Sequence, residues 1–133
     1  MTSKMNGKLL KKSIIILPAN DKKAAELIYD ILKEQGFNPV AMRDWRDTQE
    51  FFIVSSPDLI VMNLDKPDDE AFENLKLLRK CTKAKDVPTI IISSSERSDF
   101  DGGFPLKGKE TFFTKPVPAD DLLSTVKKMI TKK

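Results

Sequence analysis

The chain has 133 residues, 40% of them apolar and 32% charged, enough for one core that buries about two-thirds of the unfolded surface and too few for two. It contains no histidine and one cysteine, Cys81, which excludes imidazole general bases, histidine-ligated metals, an internal disulfide and a cysteine zinc cluster. The net charge of +3 hides a division: residues 1–12 and 122–133 hold eight lysines and no acid, leaving 15 of the 23 bases against all 20 acids between them, net −5.

Taken in chain order, Lys4, Lys8, Lys11 and Lys12 mark residues 1–12 as a basic N-terminal extension. No aromatic side chains interleave with these lysines, so a solvated end is expected and not a nucleic-acid surface. Met1 to Asn20 lacks a signal-peptide pattern, and runs such as Ile14 to Leu17 are too short to cross a bilayer. The expected compartment is therefore the reducing cytoplasm, with no membrane contact.

Ser13 to Leu17 is a continuous apolar run, the pattern of a strand buried on both faces. Asn20 or Asp21 then caps a helix in which Ala24, Leu27, Ile28, Ile31 and Leu32 recur at helical spacing until Gly36 stops it. Pro39 to Met42 reads as a weaker strand. Asp44 to Val54 reads as a helix, with Phe51 and Phe52 inward and Trp45 as a packing residue at its start. Asp58 to Asn63 is a second buried strand, ending in a polar turn that contains Pro67. Ala71, Phe72, Leu75 and Leu78 give the inner face of a third helix, with Cys81 near its end as a structural thiol. Thr89 to Ser93 and Thr111 to Thr114 are the fourth and fifth strands. After Pro116 and Pro118, a last helix carries Leu122, Val126, Met129 and Ile130 on one side and lysines toward its C-terminal end. The folded domain is thus expected over 13–131, with 132–133 as a tail.

Strands alternating with helices across one domain predict an α/β fold, a parallel sheet with helices on both faces. Ligands of such open sheets lie at the carboxyl ends of the strands. The groups that follow strands directly are Pro18 to Asp21, Asn63 to Lys66, Ser93 to Ser95 and Thr114 to Pro116.

Three segments in this order and spacing, Pro57 to Leu64 with Pro67 beyond, Pro88 to Ser94, and Phe112-Phe113-Thr114-Lys115-Pro116, resemble the receiver domain of two-component response regulators. The resemblance covers Ser13 to about Ile130. It implies a (βα)5 flavodoxin-like, CheY-like fold built on a doubly wound five-stranded parallel sheet. It also implies an aspartate at the end of the third strand that takes a phosphoryl group from a histidine kinase, and two acids after the first strand that hold Mg2+. Here the acceptor position is Asn63 and the acidic pair is Pro18 and Ala19. An amide is a poor nucleophile toward phosphorus, and Mg2+ requires hard oxygen ligands that proline and alanine lack. Opposite charges 4 Å apart attract by about 4 kcal/mol at an effective dielectric of 20, so three missing carboxylates should remove most of the metal affinity.

Other positions of the implied switch are retained. Ser93 stands where the family has a phosphoryl-bonding hydroxyl, Lys115 where it has a pairing lysine, and Phe112 where it has a switch aromatic. The plain readings beside these are a strand-end cap for Ser93 and a core position for Phe112. Lys115 either holds the turn against Asn63 or Asp65 or forms an anion site. The resemblance also implies a cis peptide at Lys115-Pro116. Asp65 is a possible alternative acceptor, and Asp21 is read as a helix start. Where the family has its fourth helix, Gly102, Gly103, Pro105 and Gly108 predict a short or irregular one. Phe100, Phe104 and Leu106 in that stretch either tuck into the core, the favoured reading, or form a partner-contact loop.

The function expected from these residues is that of a non-enzymatic pseudo-receiver, a protein-interaction module in a two-component or phosphorelay-type pathway. It would bind an unidentified protein partner, need no Mg2+ or other cofactor, bind no nucleic acid through this domain, and be a monomer or weak dimer. The alternatives are a receiver phosphorylated at Asp65 and a small-ligand-binding flavodoxin-like domain; no glycine-rich phosphate fingerprint follows the first strand to favour the latter.

Overall fold

The computed structural model describes residues 12–17, 22–42, 49–50, 57–64, 69–80, 87–100 and 110–131. Within them the order is β1 (Ser13–Leu17), α1 (Lys22–Glu34), β2 (Asn38–Ala41), β3 (Leu59–Asn63), α2 (Asp69–Lys80), β4 (Thr89–Ser93), β5 (Glu110–Thr114) and α3 (Ala119–Thr131). A 3-10 turn, Arg97–Phe100, lies between β4 and β5. All strand pairs are parallel, in the order β2-β1-β3-β4-β5, which is the flavodoxin-like winding.

The continuous apolar runs become the interior of the sheet. Every residue of β3 and β4 is buried, and Ile14, Ile15 and Ile16 of β1 are fully so. Side-chain alternation then divides them between two cores. Ile14, Ile16, Leu59, Val61, Ile90 and Ile92 face α1 and α3, where they meet Leu32, Val126 and Ile130. Ile15, Ile60, Met62 and Ile91 face the other way, onto Leu75 and Leu78 of α2. Each such fully buried side chain contributes about 1.5–3 kcal/mol relative to exposure. Pro39 sits in β2, which pairs with β1 alone, the edge position where a missing N–H is tolerated.

Gly36 ends α1 as expected, with φ 89°. Its N–H donates to the Lys33 carbonyl at 3.0 Å and the Phe37 N–H to the Leu32 carbonyl at 3.2 Å. This paired bonding is the Schellman arrangement, and its left-handed residue is the reason glycine is needed there. Phe37 and Leu32 are both buried in the core beneath. At α3, Asp120 and Asp121 lie in the first turn and Lys128 in the last, each matched to the helix dipole.

One expectation changes and one open choice closes on its favoured reading. Leu27, placed on the inner face of α1 by spacing, is 62% exposed; the buried stripe runs through Ala25, Ile28 and Leu32 instead. Phe100, open to a partner-contact role, is fully buried and belongs to the core on the α2 face, beside Phe72 at 6.1 Å and Phe112 at 5.6 Å in edge-to-face contacts. The 3-10 turn that delivers Phe100 is closed by Asp99, whose N–H donates to the Glu96 carbonyl at 3.0 Å while its carboxylate accepts the Glu96 N–H at 2.9 Å. One short turn thus supplies core volume on this face. Between Met42 and Pro57 the structure describes Gln49 and Glu50, both helical. The readings for Trp45, Phe51, Phe52, Cys81, Phe104 and Leu106 lie outside the described residues.

Candidate functional site

Three of the residues singled out by sequence fall at the carboxyl ends of neighbouring strands. Asn63 is the last residue of β3, Ser93 the last of β4, and Lys115 follows β5 directly. Register brings them to one edge: Asn63 pairs with Ile92 and Ser93 with Thr114. The ladder continues one step beyond the strands, since the Leu64 N–H donates to the Ile92 carbonyl and the Lys115 N–H to the Ser93 carbonyl, each at 2.8 Å. The Lys115-Pro116 peptide is cis, as the resemblance implies.

Each side chain has a distinct setting. Asn63 is 8% exposed, and among the described residues its Oδ1 has no hydrogen-bond partner. A buried acceptor left in that state costs about 1–3 kcal/mol. Ser93 is fully buried, and its Oγ accepts the Ser95 N–H at 3.0 Å, shaping the turn that leaves β4. Lys115 is half-buried at the head of the connection into α3. Phe112 is half-buried against the core on the α2 face and in contact with Phe100. Pro18, Ala19, Asp21 and Asp65 lie outside the described residues.

Among the described residues, Asn63, Ser93 and Lys115 offer no carboxylate to a Mg2+ ion. Magnesium takes octahedral oxygen ligands, normally with one or two carboxylates. The three residues at this edge offer a neutral amide oxygen, a hydroxyl already engaged with the Ser95 N–H, and a cation that opposes a second one. Among the described residues, no group of three acidic, histidine or cysteine side chains could hold a metal.

Sequence reasoning missed one structural anchor near the opposite end of the sheet. The Asp58 carboxylate accepts the Ser13 N–H at 2.9 Å, the Asp58 N–H donates to the Ser13 carbonyl at 2.7 Å, and Lys12 Nζ lies 3.9 Å from Asp58 Oδ1. The signal was an acid directly before an apolar run, which carries no pairing information by itself. No helix among the described residues is long and apolar enough to cross a membrane.

No protein-family model matches the chain. It is 24% identical over 114 residues to the phosphate regulon transcriptional regulatory protein PhoB of Klebsiella pneumoniae, covering 85% of this chain and 49% of PhoB. It is 21% identical over 118 residues to the polar-differentiation response regulator DivK of Brucella anthropi, covering 89% of this chain and 95% of DivK. The receiver domain of the Francisella response regulator 1452 superposes with a TM-score of 0.70 at 26% identity, covering 92% of this chain and 98% of that one. The chain has the fold of a response-regulator receiver domain and is similar in sequence to response regulators. It spans about half the length of PhoB and nearly all of DivK. In this receiver-like fold the edge formed by Asn63, Ser93 and Lys115 is the one at which open parallel sheets carry their chemistry.

Proposed function

We propose that this receiver domain does not accept a phosphoryl group and acts as a protein-interaction module in a two-component or phosphorelay-type pathway, placed in the cytoplasm. The observation that carries this reading is Asn63: a neutral amide at the end of β3, where the resemblance puts the acceptor aspartate, buried and with Oδ1 unpartnered. A carboxylate there would be the attacking oxygen; an amide oxygen is far less nucleophilic and carries no charge to hold a cation. Pro18 and Ala19, at the positions of the metal-binding acids, remove two further carboxylates from the sequence. The domain would then have neither a Mg2+ requirement nor a phosphoryl-driven switch, and its conformation would be set by its own packing and by the partner it meets.

The test is an amide NMR titration of the full chain with Mg2+ and beryllofluoride, a phosphoryl mimic. The expected outcome is no saturable shift at Asn63, Ser93 or Lys115. Saturable shifts clustered at those three residues would overturn the reading.

A further inference from the structure

A cleft of about 530 Å³ opens between α1 and the connection from β5 into α3. Its inner wall is apolar: Ala24, Ile28 and Ile31 of α1, Ile92 of β4, Val117 before α3, and Leu122 in the first turn of α3. Ile28, Ile92 and Leu122 are core residues with 7%, 3% and 3% exposure, yet each borders this space. Leu27, the exposed leucine of α1, also lines it. Small-molecule sites have this character, about 300–1,000 Å³ of apolar wall with a few placed polar groups.

The polar groups narrow the ligand. Lys115 is the one charged residue among the described residues that line the cleft, and Ser94 adds a hydroxyl beside it. One ammonium and one hydroxyl match a single negative charge on two oxygens; a phosphate dianion in an apolar cleft would need more donors than these. We propose that the cleft binds a small amphipathic carboxylate, its hydrocarbon part against Ile28, Ile92 and Leu122 and its carboxylate paired with Lys115 beside Ser94. The site shares Lys115 with the strand-end edge but needs no phosphoryl acceptance, and it goes beyond the protein-interaction reading because neither Asn63 nor a partner surface enters into it.

The experiment titrates the 15N-labelled full chain with decanoate below its micelle concentration, with 1-decanol in parallel, and follows amide shifts. Decanoate should give saturable shifts at Ala24, Ile28, Ile92 and Val117. Lys115→Gln should weaken decanoate about tenfold, the weight of one charge-assisted pair at a half-exposed site, and leave 1-decanol unaffected. Ala24→Phe, which extends into the cleft from a half-buried helix position, should abolish binding; if that variant does not fold, the Lys115→Gln comparison decides. The proposal is overturned by a lack of saturable shifts at those amides, by equal affinity for decanoate and 1-decanol, or by decanoate affinity unchanged in Lys115→Gln.

Discussion

The Phe112 ring stands edge-on to Phe100, with centroids 5.6 Å apart and planes at 71°. Phe100 in turn meets Phe72 of α2 at 6.1 Å and 89°, so three rings from β5, the 3-10 turn and α2 form one chain through the core. A switch aromatic that alternates between two positions would have to break this contact to leave.

The contact predicts both a stability loss and a coupling. Phe100→Ala should destabilise the fold by about 3–5 kcal/mol in urea denaturation, the range for a fully buried phenylalanine. A double-mutant cycle with Phe112→Leu should return about 0.5–1.5 kcal/mol of interaction, the usual weight of an edge-to-face pair. A coupling near zero would mean that the rings contribute area alone.

Restoring the acceptor should not restore chemistry. Asn63→Asp, incubated with acetyl phosphate and Mg2+, is expected to show no gain of one phosphoryl mass by intact-mass measurement, because Pro18 and Ala19 still provide no metal ligand. The wild-type chain should also show no gain. A phosphoryl adduct on the wild type that Asp65→Asn removes would instead establish Asp65 as an acceptor.

At the other end of β1, the Asp58 carboxylate holds the Ser13 N–H. Asp58→Ala leaves that part-buried donor unpaired and should cost about 1–3 kcal/mol. Lys12→Ala should change stability by under about 1 kcal/mol, since the ion pair is 3.9 Å long and each side chain is 30% exposed. Chemical denaturation of the two variants separates the hydrogen bond from the charge.

Gly36 carries its own expectation. Any residue with a Cβ is strained at φ 89°, so Gly36→Ala should lose about 1–2 kcal/mol, measured by thermal or urea unfolding.

These sites also mark what could be read from the chain. β1, β3 and β4 were legible because a strand buried on both faces leaves an uninterrupted apolar run, and α1 had a glycine at its end. Leu27 was not, because spacing at i, i+3 and i+4 gives Leu27 and Ile28 nearly equal claims to the inner face, and only the position of the sheet decides between them. The outward turn of Leu27 also concealed the cleft, which needs residues from α1, β4 and the β5–α3 connection at once. Phe100 was legible as a core residue, the favoured of two readings; how it reaches the core required knowing that a four-residue turn could carry it. Asn63 was visible as a departure from the family pattern, whereas its unpartnered oxygen depends on three-dimensional surroundings that no spacing encodes.

The strand order has a consequence for how the edge moves. β3 and β4 each have a neighbour on both sides and are buried throughout, whereas β5 has one neighbour and no fully buried residue. Amide hydrogens of Met62 and Ile91 should therefore exchange with solvent only on global unfolding, and those of β5 by cheaper local opening. Asn63 and Ser93 hang from the durable part of the molecule and Lys115 from the part that frays first. Whatever meets this edge encounters two groups on strands that open last and one on the strand that opens first.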